Sequence, residues 1–160
     1  MGSTNKRVLI ERFDRETLPG FVNPQSFQQP EGVEILTTAG MALVLPYQDV
    51  KVVHFVRDLE QPALAADKRI FASRPKLNGL WVRMQFRDGD VLEGLMPNNL
   101  TQLEPHGFSV SPPDSFANSQ RVFIPREAVE SFQVLGVIGS PLRPRKPQRP
   151  SSEQQLQIFE

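Results

Sequence analysis

Histidines are the first residues of this chain to test for chemistry. His54 and His106 are the only two, and neither lies in a spacing typical of a metal site. Strand alternation points His54 away from the face of Val53 and Phe55, and His106 lies in a turn, so we expect both at the surface. The chain contains no cysteine, which excludes disulfides and thiolate metal ligands.

Carboxylates cluster at two turns. Asp88, Asp90 and Glu93 partly match a calcium loop, but the further ligands of such a loop are missing, and a hairpin turn accounts for them better. Asp14 and Glu16 occupy a similar turn. No phosphate-binding glycine loop, nucleophile elbow or dinucleotide fingerprint occurs. The sequence therefore predicts a protein that is not an enzyme and that uses no metal or cofactor.

Charge is balanced along the whole chain. The chain has eighteen Lys and Arg residues and eighteen Asp and Glu residues, so no overall field attracts nucleic acid or an anionic membrane. A nucleic-acid contact would need a local patch. The candidates for such contacts are Arg121, Arg126, Arg143, Arg145 and Lys146.

Apolar runs are short throughout. The longest, residues 41–45, is far below the length that crosses a membrane. The run at residues 8–10 is stopped by Glu11 and Arg12 and is too short for a secretory signal. We expect a cytoplasmic protein with no membrane partner.

An internal duplication organises the chain. Placing Gly20 on Gly94 aligns the preceding segments, residues 30–35 then align with 105–110, 44–46 with 123–125, and 50–56 with 129–135. Aligned segments in the same order, with every length change in a turn-rich stretch, favour duplication over chance. The aligned pairs before the glycines are Val8 and Val82, Ile10 and Met84, Asp14 and Asp88, Glu16 and Asp90, and Leu18 and Leu92. We call residues 7–57 copy one and residues 80–138 copy two.

Each copy reads as five short strands. In copy two, apolar residues at 82, 84 and 86 alternate with polar ones, and a two-residue turn, Asp88-Gly89, should close a hairpin with residues 91–96. Further strands are predicted around residues 108–110, 120–124 and 129–135, with one tight turn over residues 125–128. Copy one has Asp14-Arg15 at its hairpin, and Arg tolerates positive φ less well than Gly, so its turn should be wider or irregular.

Both copies resemble the Sm-like fold, the superfamily of Sm and Hfq proteins. The resemblance lies in the glycine of the second strand and in the Pro-x-x-x-Val block that leads into the last strand. The resemblance covers residues 7–56 and 80–137. It implies an all-β chain of two tandem five-stranded small barrels, with an SH3-like barrel as the alternative. The chain departs from the RNA-binding signature of the superfamily. Asn23 and Asn98-Asn99 match the first part of that signature only loosely, and Pro46-Tyr47 or Pro125-Arg126 stands where the superfamily has Arg-Gly.

Two segments lie outside the copies. Residues 58–79 form a linker, either a short helix starting near Pro62 or an ordered segment lying across both barrels. Residues 139–160 form a proline- and arginine-rich tail that we expect to be disordered. Trp81 opens the first strand of copy two and should pack in a core, or else cover the junction between the halves or seat a partner.

The tail ends in an apolar group. Residues 155–159, Gln-Leu-Gln-Ile-Phe, resemble the pentapeptide by which bacterial replication and repair proteins dock on the DNA sliding clamp. The resemblance implies that Leu156, Ile158 and Phe159 fill an apolar pocket and that Gln155 hydrogen-bonds beside it. The alternative is that these residues fold back on a barrel edge.

Function follows from these features as two alternatives. The first is a non-enzymatic interaction or adaptor protein whose tail docks on a protein partner, with the sliding clamp as candidate. The second is an RNA-binding Sm-like protein. The oligomeric state stays open.

Overall fold

Alternating apolar residues form β-strands throughout the described part of the chain. The computed structural model describes residues 5–14, 16–99, 104–114 and 116–139. Single 3-10 turns occupy Tyr47–Asp49, Ala66–Lys68 and Arg126–Ala128. The strands are β1 Lys6–Arg12, β2 Leu18–Val22, β3 Gly32–Thr37, β4 Ala42–Pro46, β5 Val50–Val56, β6 Gly79–Phe86, β7 Val91–Met96, β8 Gly107–Val110, β9 Ser119–Pro125 and β10 Val129–Ile138. Within these residues, no helix is both long and apolar enough to cross a membrane.

The strands form two antiparallel sheets. One has seven strands in the order β4-β3-β2-β1-β5-β9-β8, and the other has three in the order β10-β6-β7. A bridge between Leu95 and Ser111 joins β7 to the residue after β8. The all-β prediction is confirmed, but the described strands make sheets of seven and three strands and not two closed barrels.

Equivalent pairings repeat in the two copies. Val8 pairs with Gly20 in copy one, and Val82 pairs with Gly94 in copy two. A Cβ on Gly20 would lie 2.6 Å from the carbonyl oxygen of Leu36, and one on Gly94 would lie 2.9 Å from that of Ser111. Glycine is required at both corners because the third strand crosses too closely for any side chain.

The last turn of each copy repeats as well. Pro46 and Pro125 have φ values of −57° and −59°, and each precedes a 3-10 turn that leads into the fifth strand. Their partners are Gly32 and Gly107. The tight turn predicted over residues 125–128 is therefore confirmed, and it has a counterpart in copy one.

The two copies meet where β5 pairs with β9, and we call this junction the seam. Val53 lies opposite Phe123, and His54 lies opposite Val122. Each strand also contributes to the other copy's core. Phe123 packs in the core of copy one, and Val52 packs in the core of copy two. The fourth strand of copy two thus completes copy one.

The linker contains one 3-10 turn and otherwise irregular backbone, so the helix alternative is wrong. Its polar groups are used by the strands it crosses. The Ala63 carbonyl accepts the amide of Ser119 at 2.9 Å, and the Arg69 carbonyl accepts the amide of Glu93 at 2.7 Å. Leu64 is buried in the core of copy two. Because its carbonyls accept hydrogen bonds from β9 of one sheet and β7 of the other, the linker lies across both as an ordered segment.

The copy-two hairpin turns over three residues, not the two predicted. The Phe86 amide donates to the Asp90 carbonyl at 2.7 Å, and the Gly89 amide donates to the Phe86 carbonyl at 2.9 Å. Gly89 takes the left-handed conformation, with φ of +96°, which widens the turn by one residue. Arg15, in the copy-one turn, lies outside the described residues.

Candidate functional site: a basic groove at the seam

A groove with a volume of about 1150 Å³ lies at one end of the seam. It opens where β1 and β9 begin and where β2 and β5 end. The cationic side chains that line it are Lys6, Arg7, Arg57 and Arg121. Three of them belong to copy one and its end, and Arg121 belongs to copy two. We call this site the basic groove.

Strand register places these side chains together. Arg7 lies opposite Phe21 across β1 and β2, and Arg121 lies opposite Phe55 across β5 and β9. Each arginine thus adjoins a half-buried aromatic ring that also lines the groove. Phe27, which is buried, meets Phe55 edge to face with ring centres 5.6 Å apart and holds that ring in place.

The groove is predominantly positive. Glu104 is the acidic residue in its lining, and its carboxylate accepts a hydrogen bond of 2.6 Å from the Gln28 amide nitrogen. The ion pairs formed within the described residues do not include Lys6, Arg7 or Arg121. Four clustered cations beside a single carboxylate raise the local potential and attract anions.

An acceptor also lies in the groove. The side-chain oxygen of Gln28 is buried and has no hydrogen-bond partner among the described residues. Buried polar atoms are normally paired, so this oxygen can accept a donor from a bound molecule. Cations, aromatic rings and one buried acceptor can bind an anionic ligand with flat rings.

The predicted nucleic-acid contacts separate in the structure. Arg121 lies in the basic groove, whereas the Arg126 guanidinium lies 5.3 Å from the centre of the Phe108 ring and donates to the Glu104 carbonyl at 3.3 Å. Both arginines line a neighbouring pocket. The remaining predicted residues lie outside the described part of the chain: Arg143, Arg145, Lys146, Gln155, Leu156, Ile158 and Phe159.

Sequence reasoning missed the copy-one cations. Lys6 and Arg7 occupy the positions that Leu80 and Trp81 take in copy two, and Arg57 occupies that of Gly136. A charge that appears in only one of two duplicated copies is not needed by the shared fold. That difference was the available signal for Lys6, Arg7 and Arg57.

His54 is fully buried, so the prediction of a surface histidine is wrong. Its Nδ1 lies 3.0 Å from the Ser119 hydroxyl, and its Nε2 lies 2.7 Å from a Glu11 carboxylate oxygen. Arg69 of the linker donates to the same Glu11 oxygen at 3.1 Å. The face of β5 that carries His54 was expected to be exposed to solvent, but the linker and copy two cover it.

Protonation in this cluster follows from its burial. Burial lowers the pKa of His54 below its ordinary value, although Glu11 opposes the change. Burial would raise the pKa of Glu11, but the hydrogen bond from His54 and the charge and hydrogen bond of Arg69 outweigh it and lower that pKa to about 2. A neutral His54 therefore donates from Nε2 to an ionised Glu11 and accepts the Ser119 hydroxyl proton at Nδ1.

Serine, histidine and glutamate in a row have the composition of a catalytic triad. The Ser119 side chain is completely buried. A cavity of about 400 Å³ reaches Glu11, His54 and Arg69, but Ser119 does not line it. A nucleophile must reach its substrate. The cluster therefore acts as a structural connection between copy one, the linker and copy two.

The hairpin carboxylates of copy two also join the copies. Lys51 of β5 is buried and contacts Asp88 at 2.8 Å and Asp90 at 2.5 Å. Burial lowers the pKa of Lys51, but its hydrogen bonds to the two carboxylates outweigh burial and raise it. These aspartates pair with a cation of the other copy, in addition to forming a turn.

Glu93 anchors the linker to copy two. Its buried carboxylate accepts hydrogen bonds from the Phe71 amide at 3.0 Å, from the Trp81 indole at 3.2 Å and from the Arg83 guanidinium at 2.7 Å. Trp81 is half-buried and meets Phe71 edge to face. Within the described ranges, no group of three or more His, Asp or Glu side chains could hold a metal ion.

His106 lies in a turn, as predicted, but it is half-buried. Its ring stacks on that of Tyr47, with centres 4.9 Å apart. The contact adds another link between copy one and copy two.

Comparison with known proteins gives a family and no activity. A search of curated proteins and a search of solved structures each gave no match. A family model matches residues 4–136, which cover copy one, the linker and all but the last two residues of copy two. The chain belongs to that family, DUF6982, a family of unknown function.

Proposed function

We propose that this chain is a non-enzymatic binding protein that holds single-stranded RNA in the basic groove. The observation that carries the proposal is the meeting of Lys6, Arg7, Arg57 and Arg121 beside two half-buried aromatic rings. Cations that follow a phosphate backbone and rings on which bases stack are the two components of single-strand binding.

The groove offers each of these components at a defined place. Arg121 lies opposite Phe55 across β5 and β9, and Arg7 lies opposite Phe21 across β1 and β2, so a phosphate and its base can be bound side by side. The free oxygen of Gln28 can accept a hydrogen bond from a base amino group. Single strands expose both base edges and phosphates, whereas a duplex hides its bases.

The test measures affinity for a fluorescent oligouridylate by anisotropy at several salt concentrations. Replacing Arg121 or Arg7 with Gln should weaken binding and lower the slope of log affinity against log salt by about 0.7 for each phosphate that the variant no longer neutralises. The matched control is Lys76→Gln, since Lys76 is an exposed cation of the linker outside the basic groove. It should leave both affinity and slope unchanged.

The tail must be tested separately, because it also carries cations. The triple variant Arg143→Gln, Arg145→Gln and Lys146→Gln keeps the groove intact. If this variant loses binding while Arg121→Gln keeps it, the tail and not the groove holds RNA. Absence of salt-sensitive binding by the unmodified chain contradicts the proposal altogether.

A second proposed function is that of an adaptor that docks its C-terminal peptide on a protein partner, with the DNA sliding clamp as candidate. It is supported by residues 155–159 and by their place after a proline-rich stretch. The full chain and its last ten residues should both bind purified clamp, and Leu156→Ala and Phe159→Ala should abolish binding. Equal binding by Ser152→Ala serves as the control. No binding at high micromolar concentration refutes this function.

We also propose that both copies descend from one Sm-like unit and that the protein works in the cytoplasm. The repeated strand order, fifth-first-second-third-fourth, supports the common descent. In this proposal, the barrel of copy two has opened at its fourth strand, because β9 pairs with β5 of the other copy, and β4 of copy one ends the seven-stranded sheet.

A further inference from the structure

The second half of the linker borders a groove of about 730 Å³, which we call the linker groove. Its walls include residues 67–77 of the linker, Leu95 of β7 and residues 111–114, which follow β8. Arg57 and Gln120 line both this groove and the basic groove, so the two sites adjoin. The linker supplies the longest stretch of wall.

The linker groove exposes apolar side chains. Ile70 and Leu77 line it and are 50% and 67% exposed. Phe71, also in the lining, is half-buried. By contrast, Leu64 of the same linker is buried in the core of copy two. Apolar side chains grouped in a concave surface mark a binding site, because covering them removes apolar area from water.

Charge in the linker groove is unbalanced. Its two carboxylates belong to Asp67 and Asp114, and its four cationic side chains are those of Arg57, Lys68, Arg74 and Lys76. The excess of positive charge favours an occupant with carboxylates, and the exposed apolar side chains favour one with apolar groups.

One segment of this chain has both properties. Residues 153–160 carry two carboxylates and no lysine or arginine. Between the carboxylates lie the apolar side chains of Leu156, Ile158 and Phe159. The segment therefore matches the linker groove in apolar character and in the sign of its charge.

The described chain leaves the fold beside the linker groove. The side chain of Asn78 abuts Gly139, the last described residue, since a Cβ on that glycine would lie 1.7 Å from the Asn78 Oδ1. Asn78 directly follows Leu77, which lines the groove. Residues 140–155 can span up to about 55 Å when extended, so the residues after them can reach the whole groove.

We propose that residues 153–160 dock in the linker groove of the same molecule. The apolar side chains of the segment lie against Ile70, Phe71 and Leu77, and its carboxylates lie beside the cations of the groove. Docking covers the apolar side chains that the adaptor function assigns to a protein partner, so the groove competes with that partner for the segment. This consequence, unlike the docking itself, rests on the proposed adaptor function.

Energy transfer from Trp81 to a dansyl group at position 152 tests the docking in the full chain. Trp81 is the only tryptophan and meets Phe71, which lines the linker groove. The chain has no cysteine, so Ser152→Cys provides a single position for the dansyl group. Transfer should be efficient and independent of protein concentration. It should fall when Leu156 and Phe159 are both replaced with Asp, because the segment then loses its apolar contacts.

Substitutions in the groove locate the docking site. Ile70→Asp and Leu77→Asp each place a carboxylate among its apolar side chains, and each should reduce transfer as the segment variant does. Met41→Asp is the matched control, since Met41 is 59% exposed in copy one and does not line the linker groove. It should leave transfer unchanged.

A labelled peptide of residues 150–160 gives a second measurement. The chain with both Asp substitutions in its segment has an empty groove and should bind the peptide, whereas the unmodified chain fills the groove with its own segment. For a peptide Kd of about 100 μM and an effective concentration of about 1 mM, this competition should weaken peptide binding by the unmodified chain about tenfold.

Three outcomes overturn the proposal. Equal peptide binding by the two chains, or transfer that does not respond to the segment substitutions, excludes the docking. Transfer that responds to these substitutions but not to Ile70→Asp and Leu77→Asp places the segment elsewhere, such as on a strand edge. Transfer that rises with protein concentration assigns the segment to a second molecule. None of these measurements contains the clamp or RNA, so failure of either proposed function would leave their results unchanged.

Discussion

The fifth strands of the two copies have the same place in the fold and opposite surroundings. β5 is buried between β1 and β9, whereas β10 pairs only with β6 and leaves its other edge open. His54 and Lys51 are therefore buried and paired in β5, and the equivalent Gln133 and Glu130 in β10 are exposed. The neighbour that a strand acquires decides whether its polar residues join a network or meet solvent.

The two copies also differ at the positions that line the basic groove in copy one. Copy one presents Lys6, Arg7 and Arg57 there, and copy two presents Leu80, Trp81 and Gly136. In copy one, β9 adds Arg121 and completes the basic groove. The proposed binding surface thus belongs to the junction and not to the repeated unit.

Among substitutions that test the difference between the copies, Glu93→Ala should lower the free energy of unfolding most. The substitution removes the acceptor of the Trp81 indole, the Phe71 amide and the Arg83 guanidinium, so the free energy of unfolding should fall by about 3–4 kcal/mol. Pro19 is the equivalent position in copy one, and Pro19→Ala should cost less than about 1 kcal/mol. Urea unfolding measures both, and equal losses would show that Glu93 has no special role.

Alanine at the third-strand glycines tests whether the copies are equivalent. A Cβ on Gly32 would lie 2.0 Å from the Leu45 carbonyl oxygen, and one on Gly107 would lie 2.2 Å from that of Ile124. Each substitution should cost about 3 kcal/mol in urea unfolding. The control Gly40→Ala, at φ of +88° with open space around its Cβ, should cost about 1 kcal/mol. A loss of stability at only one of the two glycines would contradict the structural equivalence of the third strands.

Glu11 should make the seam sensitive to acid. Its pKa of about 2 in the folded protein lies below the ordinary value of 4.5. The stabilisation is complete above pH 4.5 and is lost as pH falls toward 2, and it amounts to about 2–3 kcal/mol. Unfolding at several pH values should show Glu11→Gln less stable than the unmodified chain at pH 7, with the gap closing toward pH 2. A gap that stays constant with pH, or an equal gap for the exposed control Glu60→Gln, contradicts this assignment.

The smallest effect is expected at Lys51. Lys51→Met leaves Asp88 and Asp90 without their cation, but both carboxylates reach solvent, so the cost should be about 1–2 kcal/mol. Glu130→Gln, at the equivalent position of β10, should change stability by less than about 0.5 kcal/mol. Thermal unfolding at low and high salt measures both variants. Equal effects at the two positions would remove the difference between the seam strand and the edge strand.

The sequence by itself determined the local features of both copies. Alternation at residues 82, 84 and 86, glycines where strands cross, and prolines before the last turn act over a few residues, so a single chain segment reveals them. The tertiary structure decided what depends on distant segments. The partner of β5 lies in copy two, and the cover of His54 comes from the linker and from Ser119. Strand alternation states which face a side chain takes, but only the neighbouring strand decides whether that face is buried, charged or open.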